Sequence, residues 1–114
     1  VIPGDVCAVH FTNNDGSAGE RPVLVLFLGP IGIGEDEVAI VAQITAEPER
    51  VANQFNGDIS LEEDFALFGL RNPSVIRCRQ SGGLPLSMFI RTVGNVGTAI
   101  LEEAQGIFSE IVNQ

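Results

Sequence analysis

An arginine followed by proline, Arg21-Pro22, stands directly before the apolar run VLVLFL, and Thr45 closes the next β-rich run, EVAIVAQIT. If the two runs are neighbouring strands, a guanidinium and a hydroxyl face one another at rigid strand ends. The polar loop carrying Asp15 and Ser17 then lies beside them. That combination suits a phosphate, because the guanidinium presents a planar fork of donors and the hydroxyl adds another.

Other chemistry is thinly represented. Arg71, Arg77, Arg79 and Arg91 all fall in the second half of the chain, which leaves room for a local anion site. His10 is the single histidine; it titrates near neutrality but has no partner motif, so a structural or exposed role is expected. Cys7 and Cys78 lie far apart within apolar stretches and lack zinc-ligand spacing, which predicts buried, reduced thiols and no metal site. The segment GPIGIGED matches no phosphate-cradling GxGxxG pattern and leads into no helix. It reads as a hairpin turn.

The elements that must position these groups follow from periodicity. Residues 5–12 alternate, with Cys7, Val9 and Phe11 on one face and Val6, Ala8 and His10 on the other, which predicts a half-buried strand. Residues 13–21 are dense in turn formers and predict an exposed loop. Residues 22–28 form an apolar strand with Pro22 at its first position, where a missing N–H is tolerated. A strand over 37–45 comes next, then a long loop or helical turn over 46–56, broken by Pro48. A short strand over 57–61, a helical turn within LEEDFALFGL and strands over SVIRCRQ and 85–93 complete the β region.

At the C-terminus the period changes. Ile100, Leu101, Ala104, Ile107, Phe108, Ile111 and Val112 fall on one helical stripe. Thr98 is the expected N-cap, with Glu102 and Glu103 in a first turn whose dipole favours them. Gly106 inside the helix costs about 1 kcal/mol relative to Ala unless close packing explains it. The predicted fold is mainly β with a C-terminal helix, a small antiparallel barrel or coiled sheet forming one domain over residues 1–114.

Composition agrees with that picture and restricts the function. Hydrophobic residues make up 45% of the 114, with seven Phe and neither Trp nor Tyr, so the core is aliphatic. No apolar run is long enough to span a membrane, and the N-terminal residues lack a basic region, so a cytoplasmic protein is expected. There is no lysine, and six arginines face fifteen acids for a net charge of −9. That balance argues against a general nucleic-acid-binding surface but leaves a local cationic site open.

The blocks GDVCAVHF, a polar loop with DGS, GERPVLVLFL and AIVAQITAE together resemble the PemK/MazF family of toxin–antitoxin toxins. SVIRCRQ is similar to the family's third block, and VGNVGTAILEEAQGIFSEIV to its strand-to-helix C-terminus. The resemblance implies an SH3-like barrel of the PemK/MazF/CcdB type, a homodimer, and a partner antitoxin. It also implies a metal-independent, cofactor-free, sequence-specific endoribonuclease that cuts single-stranded RNA and leaves a 2′,3′-cyclic phosphate.

By the same resemblance, the catalytic arginine before proline falls on Arg21 and the strand-end threonine on Thr45. Asp15, Ser17, Arg77, Arg79 and Gln80 fall at substrate-binding positions. One branch of the family carries a histidine near Asp15 and an aspartate where Arg79 stands, so its His/Asp acid–base pair is absent here. The alternative implied by the same fold is a catalytically inactive or gyrase-type protein-binding barrel.

Overall fold

The β-branched and aliphatic runs pair into one antiparallel sheet of six strands. The computed structural model describes residues 1–30 and 37–113. The strands are β1 (Asp5–Thr12), β2 (Ala18–Pro30), β3 (Glu37–Thr45), β4 (Asp58–Leu61), β5 (Ser74–Pro85) and β6 (Phe89–Asn95), in the spatial order β4-β5-β3-β2-β1-β6. Helix α1 (Pro48–Ala52) follows β3 and helix α2 (Gly97–Val112) follows β6, with 3-10 turns at Phe65–Phe68 and Leu86–Met88. The fold is thus mainly β with a C-terminal helix, as expected. Most of the glycine-rich turn read in GPIGIGED lies outside the described residues.

Both faces of the sheet are covered. One face, with Val6, Leu24, Leu26, Ile44 and Ile76, packs under α2 through Ile100, Leu101, Ile107 and Phe108. On the other face Cys7, Val9, Val23, Val25, Ala39 and Val41 are covered by Leu84, Leu86 and Phe89. The sheet curls so that the far end of β5 and the start of β6 close over its own centre. β1 is therefore buried on both sides from Asp5 to Val9, and only its last residues emerge. Alternation predicted a half-buried strand, but the unbroken run Val6-Cys7-Ala8-Val9 is the pattern of a strand sandwiched between two layers.

Two polar contacts fix α2 on this sheet. The register of β2 and β3 slips between Val25 and Phe27, so Leu26 has no ladder partner on β3. The Gln105 side chain donates to its carbonyl at 2.8 Å, which removes the cost of a buried unpaired acceptor. At the helix start the predicted cap is displaced. Thr98 lies inside the first turn, and Glu102 and Glu103 lie beyond it. The N–H of Gly97 donates instead to Asn95 Oδ1 at 2.7 Å, and Asn95 Nδ2 donates to the buried Asp5 at 3.0 Å. Helix entry is thereby tied to the start of β1. Gly97, at φ +83, turns the chain into the helix one residue before the threonine.

Strand limits also shift. β2 begins at Ala18, so the loop after β1 spans only residues 13–17 and Pro22 sits well inside the strand. Proline is accommodated there because β2 pairs with β3 only from Val23 onward. Pro48 does not break a loop; it opens α1, where its fixed φ suits the first helical position. β5 runs through Gly82 and Gly83 to Pro85, and β6 begins at Phe89 rather than at residue 85.

Candidate active site

Arg21 stands opposite Val9 of β1, and the next residue but one, Val23, stands opposite Gln43 of β3. Because side chains alternate along a strand, Arg21, Gln43 and Thr45 share one face. Gln43 is in turn opposite Arg77 of β5, and Thr45 opposite Val75, which brings Arg77 to the same face. Arg21, Gln43, Thr45 and Arg77 line a single cleft of about 570 Å³. The expected pairing of Arg21 and Thr45 is therefore present, with Arg77 beside them.

Each group is held in a state suited to an anion. The Arg21 guanidinium lies 3.9 Å from the centroid of the Phe11 ring, which limits its rotamers while leaving its N–H fork free. Gly19 lies under that ring, where a Cβ would come within 2.8 Å of Phe11. Thr45 Oγ1 accepts the backbone N–H of Glu47 at 3.2 Å. One of its two lone pairs is thereby used, and the hydroxyl proton, which has no acceptor among the described residues, can be donated into the cleft. Arg77 is partly buried, and its Nε has no hydrogen-bond partner among the described residues. Nε itself is closed to a ligand, so the remaining N–H groups of the guanidinium, which carry no hydrogen bond or ion pair among the described residues, are the ones that can meet an oxygen ligand in the cleft.

Arg79 and Gln80 are not at this cleft, for a definite backbone reason. Between Gln43↔Arg77 and Ala42↔Ser81 the register jumps, so Cys78, Arg79 and Gln80 bulge out of the ladder with β3. Arg79 turns toward the start of β4 and donates through Nε to the carbonyl of Asn56 at 3.0 Å. Gln80 is exposed in the bulge. A strand read as continuous through SVIRCRQ cannot reveal such a displacement, because the ladder partner that sets it is remote in sequence.

Asp15 and Ser17 are likewise committed elsewhere. Asp15 Oδ1 accepts both the Ser17 hydroxyl at 2.6 Å and the Ser17 N–H at 2.9 Å, while Asn13 donates to Ser17 Oγ at 2.8 Å. The hydrogen bond from the Ser17 side chain, then that from its backbone, holds the Asp15 carboxyl below the usual carboxylate range. The loop closes on itself, and neither residue lines the cleft.

His10 borders the cleft but stands opposite Glu20 on the ladder, one position along from Arg21's partner. Alternation directs its ring to the opposite face. Both cysteines are free and buried, as expected. Burial, the main cause, pushes the Cys78 thiol up to about 11. Phe11 and Gln43 were not among the sequence-derived site residues. Gln43 could have been found as the polar residue alternating with Thr45 in an otherwise apolar strand.

A second cleft of about 410 Å³ adjoins the first and shares Arg21, Pro22 and Ala46 with it. Arg71 and Arg91 line it. Arg91 is held bidentately by Glu20, at 2.9 and 3.3 Å. Only two arginines form ion pairs among the described residues, Arg91 with Glu20 and Arg50 with Asp58. Arg21, Arg71 and Arg77 thus keep uncompensated charges around the two clefts of a strongly acidic chain. No group of metal-ligating residues assembles among the described residues, and no described helix is long and apolar enough to cross a membrane.

This architecture recurs in solved structures. A Mycobacterium tuberculosis toxin, MazF-mt6, superposes with a TM-score of 0.66 at 21% identity, over 96% of each chain. A MazE-MazF crystal structure from Deinococcus radiodurans (Form-II) superposes with a TM-score of 0.73 at 18% identity, over 100% of this chain and 96% of that one. At such identities the likeness shows the shared fold. No curated protein sequence is significantly similar to the chain. The sequence model of the PemK-like, MazF-like toxins of type II toxin-antitoxin systems matches residues 2–112, and the chain belongs to that family.

Proposed function

We propose that this protein is a metal-independent endoribonuclease that cleaves single-stranded RNA at a specific sequence. The observation that carries the reading is the convergence of Arg21, Thr45 and Arg77 in one cleft, with neither arginine paired to a carboxylate. In a chain of net charge −9, two such cations held together are suited to an anionic ligand. The uncompensated cations also favour RNA over the alternative of a protein-binding barrel without cleavage.

In the reaction, the ribose 2′-hydroxyl attacks the adjacent phosphorus. The new O2′–P bond forms as the P–O5′ bond breaks, giving a 2′,3′-cyclic phosphate and a 5′-hydroxyl. The 2′-hydroxyl loses its proton and the departing 5′-oxygen gains one. Arg21 and Arg77 donate to the non-bridging oxygens as charge grows there, and Thr45 donates its hydroxyl proton to the same group. A guanidinium remains protonated throughout, so its contribution is electrostatic. His10 borders the cleft but makes no hydrogen bond to Arg21, Thr45 or Arg77 among the described residues, so the protons pass through solvent, and turnover is slow.

By similarity to the MazE-MazF complexes, a MazE-like antitoxin is the protein partner that silences the site. A homodimer and a cytoplasmic location follow from the same family reading. The test is incubation of the purified protein with mixed-sequence single-stranded RNA in excess EDTA, beside Arg21→Ala. Cleavage with cyclic-phosphate ends, reduced by a factor of about 10² to 10³ in the variant, is expected. Intact RNA at every protein concentration would overturn the reading.

A further inference from the structure

The second cleft is a constructed feature of the fold. It lies where the 3-10 turn Phe65–Phe68 is laid against the edge strand β6. The backbones approach so closely that a Cβ on Gly69 would come within 2.1 Å of the Val93 carbonyl oxygen. One on Gly94 would come within 2.2 Å of that of Phe68. Gly69 also adopts φ +80, in the left-handed region that favours glycine. This packing fixes the segment Leu70-Arg71-Asn72 as one wall of the cleft, with Val93 and the Glu20–Arg91 pair opposite.

The charge of this cleft is not self-compensated. Glu20 is its lining carboxylate, and its two oxygens are occupied by Arg91. Arg71 forms no ion pair among the described residues. Alternation along β1 and β2 puts Ala8, Glu20 and Pro22, and with them the second cleft, on the opposite face of the sheet from Val9 and Val23 in the first. The two meet at Arg21, Pro22 and Ala46, where β2 is no longer paired with β3, so an anionic strand held by Arg21 enters the second cleft by crossing this open edge. Leu70, Val93 and Pro22 supply apolar surface, and the Asn72 carboxamide supplies both a donor and an acceptor.

We propose that this cleft is a neighbouring-nucleotide subsite, in which Arg71 binds the phosphate next to the one on Arg21 and the nucleoside lies along Leu70-Arg71-Asn72. The proposal rests on RNA being the substrate. It adds to that reading the residue and the wall of the fold that hold the neighbouring nucleotide. Single-strand recognition by a phosphate contact plus a splayed base agrees with how proteins read unpaired RNA.

The test measures equilibrium binding of a fluorescein-labelled RNA whose reactive 2′-hydroxyl is replaced by hydrogen, alongside cleavage of the parent RNA. Wild-type protein is compared with Arg71→Ala and Arg71→Lys, and the RNA with a version lacking the adjoining nucleotide. Arg71 is exposed, so its removal leaves the fold intact, which thermal unfolding checks. Arg71→Ala should weaken binding roughly tenfold, the loss of one charge-assisted contact. It should also lower the slope of log affinity against log salt by about 0.7, the value for one phosphate on a single strand.

Arg71→Lys should restore the slope. Shortening the RNA should cost the same factor, with no further loss when the two changes are combined. Active wild-type protein whose affinity and salt slope are unmoved by Arg71→Ala overturns the subsite and leaves the nuclease intact. Binding that depends on Arg71 without any cleavage supports the subsite and overturns the nuclease. Wild-type protein that neither binds nor cleaves overturns both.

Discussion

Replacing Arg77 with methionine should make this protein more stable and less active at once. Arg77 Nε is buried without a hydrogen-bond partner among the described residues, whereas Arg50, whose Nε is also unpartnered, holds Asp58 through Nη2 at 3.1 Å. A buried unsatisfied donor costs about 1–3 kcal/mol. Methionine keeps the length of the arginine stem, so the packing of Arg77 against its neighbours largely survives. Taking the low end of that range, Arg77→Met should gain about 1 kcal/mol. For a chain of this size that is a rise in Tm of about 3–6 °C. Metal-free cleavage should meanwhile fall by about two orders of magnitude, because a donor to the developing phosphorane charge is gone. Urea denaturation and single-turnover cleavage on the same preparations would read both effects. A variant that is less stable, or that cleaves at the wild-type rate, would refute the argument that Arg77 is held open for a substrate oxygen.

A Cβ built on Gly106 meets nothing within 4 Å, so close packing does not explain the glycine, and Gly106→Ala should raise stability by about 1 kcal/mol through helix propensity alone, measured as a shift in urea midpoint. The folded Cys78 thiol titrates near 11 rather than 9 because it is buried, and Cys7 is raised for the same first cause. A raised folded pKa gives stability that is complete below pH 9 and is lost as the pH rises toward 11; unfolding midpoints across that window should fall, and a Cys7→Ala, Cys78→Ala double variant should flatten the decline.

The fold was largely legible because its signals are local. The period-2 runs, the apolar PVLVLFL segment and the helical stripe from Ile100 each declare an element without reference to the rest of the chain. The placement of Arg21 and Thr45 on one face was legible for the same reason, since two strand-forming runs so close in sequence have few ways to pair. What the spacing did not reveal depended on partners remote in sequence. Arg79 and Gln80 leave the cleft because β3 skips three residues of β5. Thr98 gives up the cap because Asn95, braced by Asp5 from the other end of the chain, reaches Gly97 first. Arg71 comes to line a second cleft because two glycines let a 3-10 turn lie directly on β6. None of these is encoded in the spacing of residues within one segment.

The net charge of −9 bears on how such a cleft would meet RNA. At physiological salt the screening length is about 8 Å. Beyond it, an approaching polyanion feels a weakened repulsion from the whole protein; within it, the strand meets Arg21, Arg71 and Arg77 in clefts whose lining carboxylates are Glu20, already occupied by Arg91, and the exposed Glu47. Capture therefore depends on contact, with no long-range steering toward the site. The two regimes respond to salt in opposite directions. Added salt screens the repulsion, so the association rate constant should rise, while competition from counterions weakens the contacts and the equilibrium affinity falls. The dissociation rate must then increase more steeply with salt than the affinity declines. Stopped-flow binding of a non-cleavable single-stranded RNA between 50 and roughly 300 mM salt would resolve the two rates, well inside the range where counterion release is steep. An association rate that falls with salt would mean that the positive field of the clefts extends beyond the acidic surface, and that the charge pattern steers RNA after all.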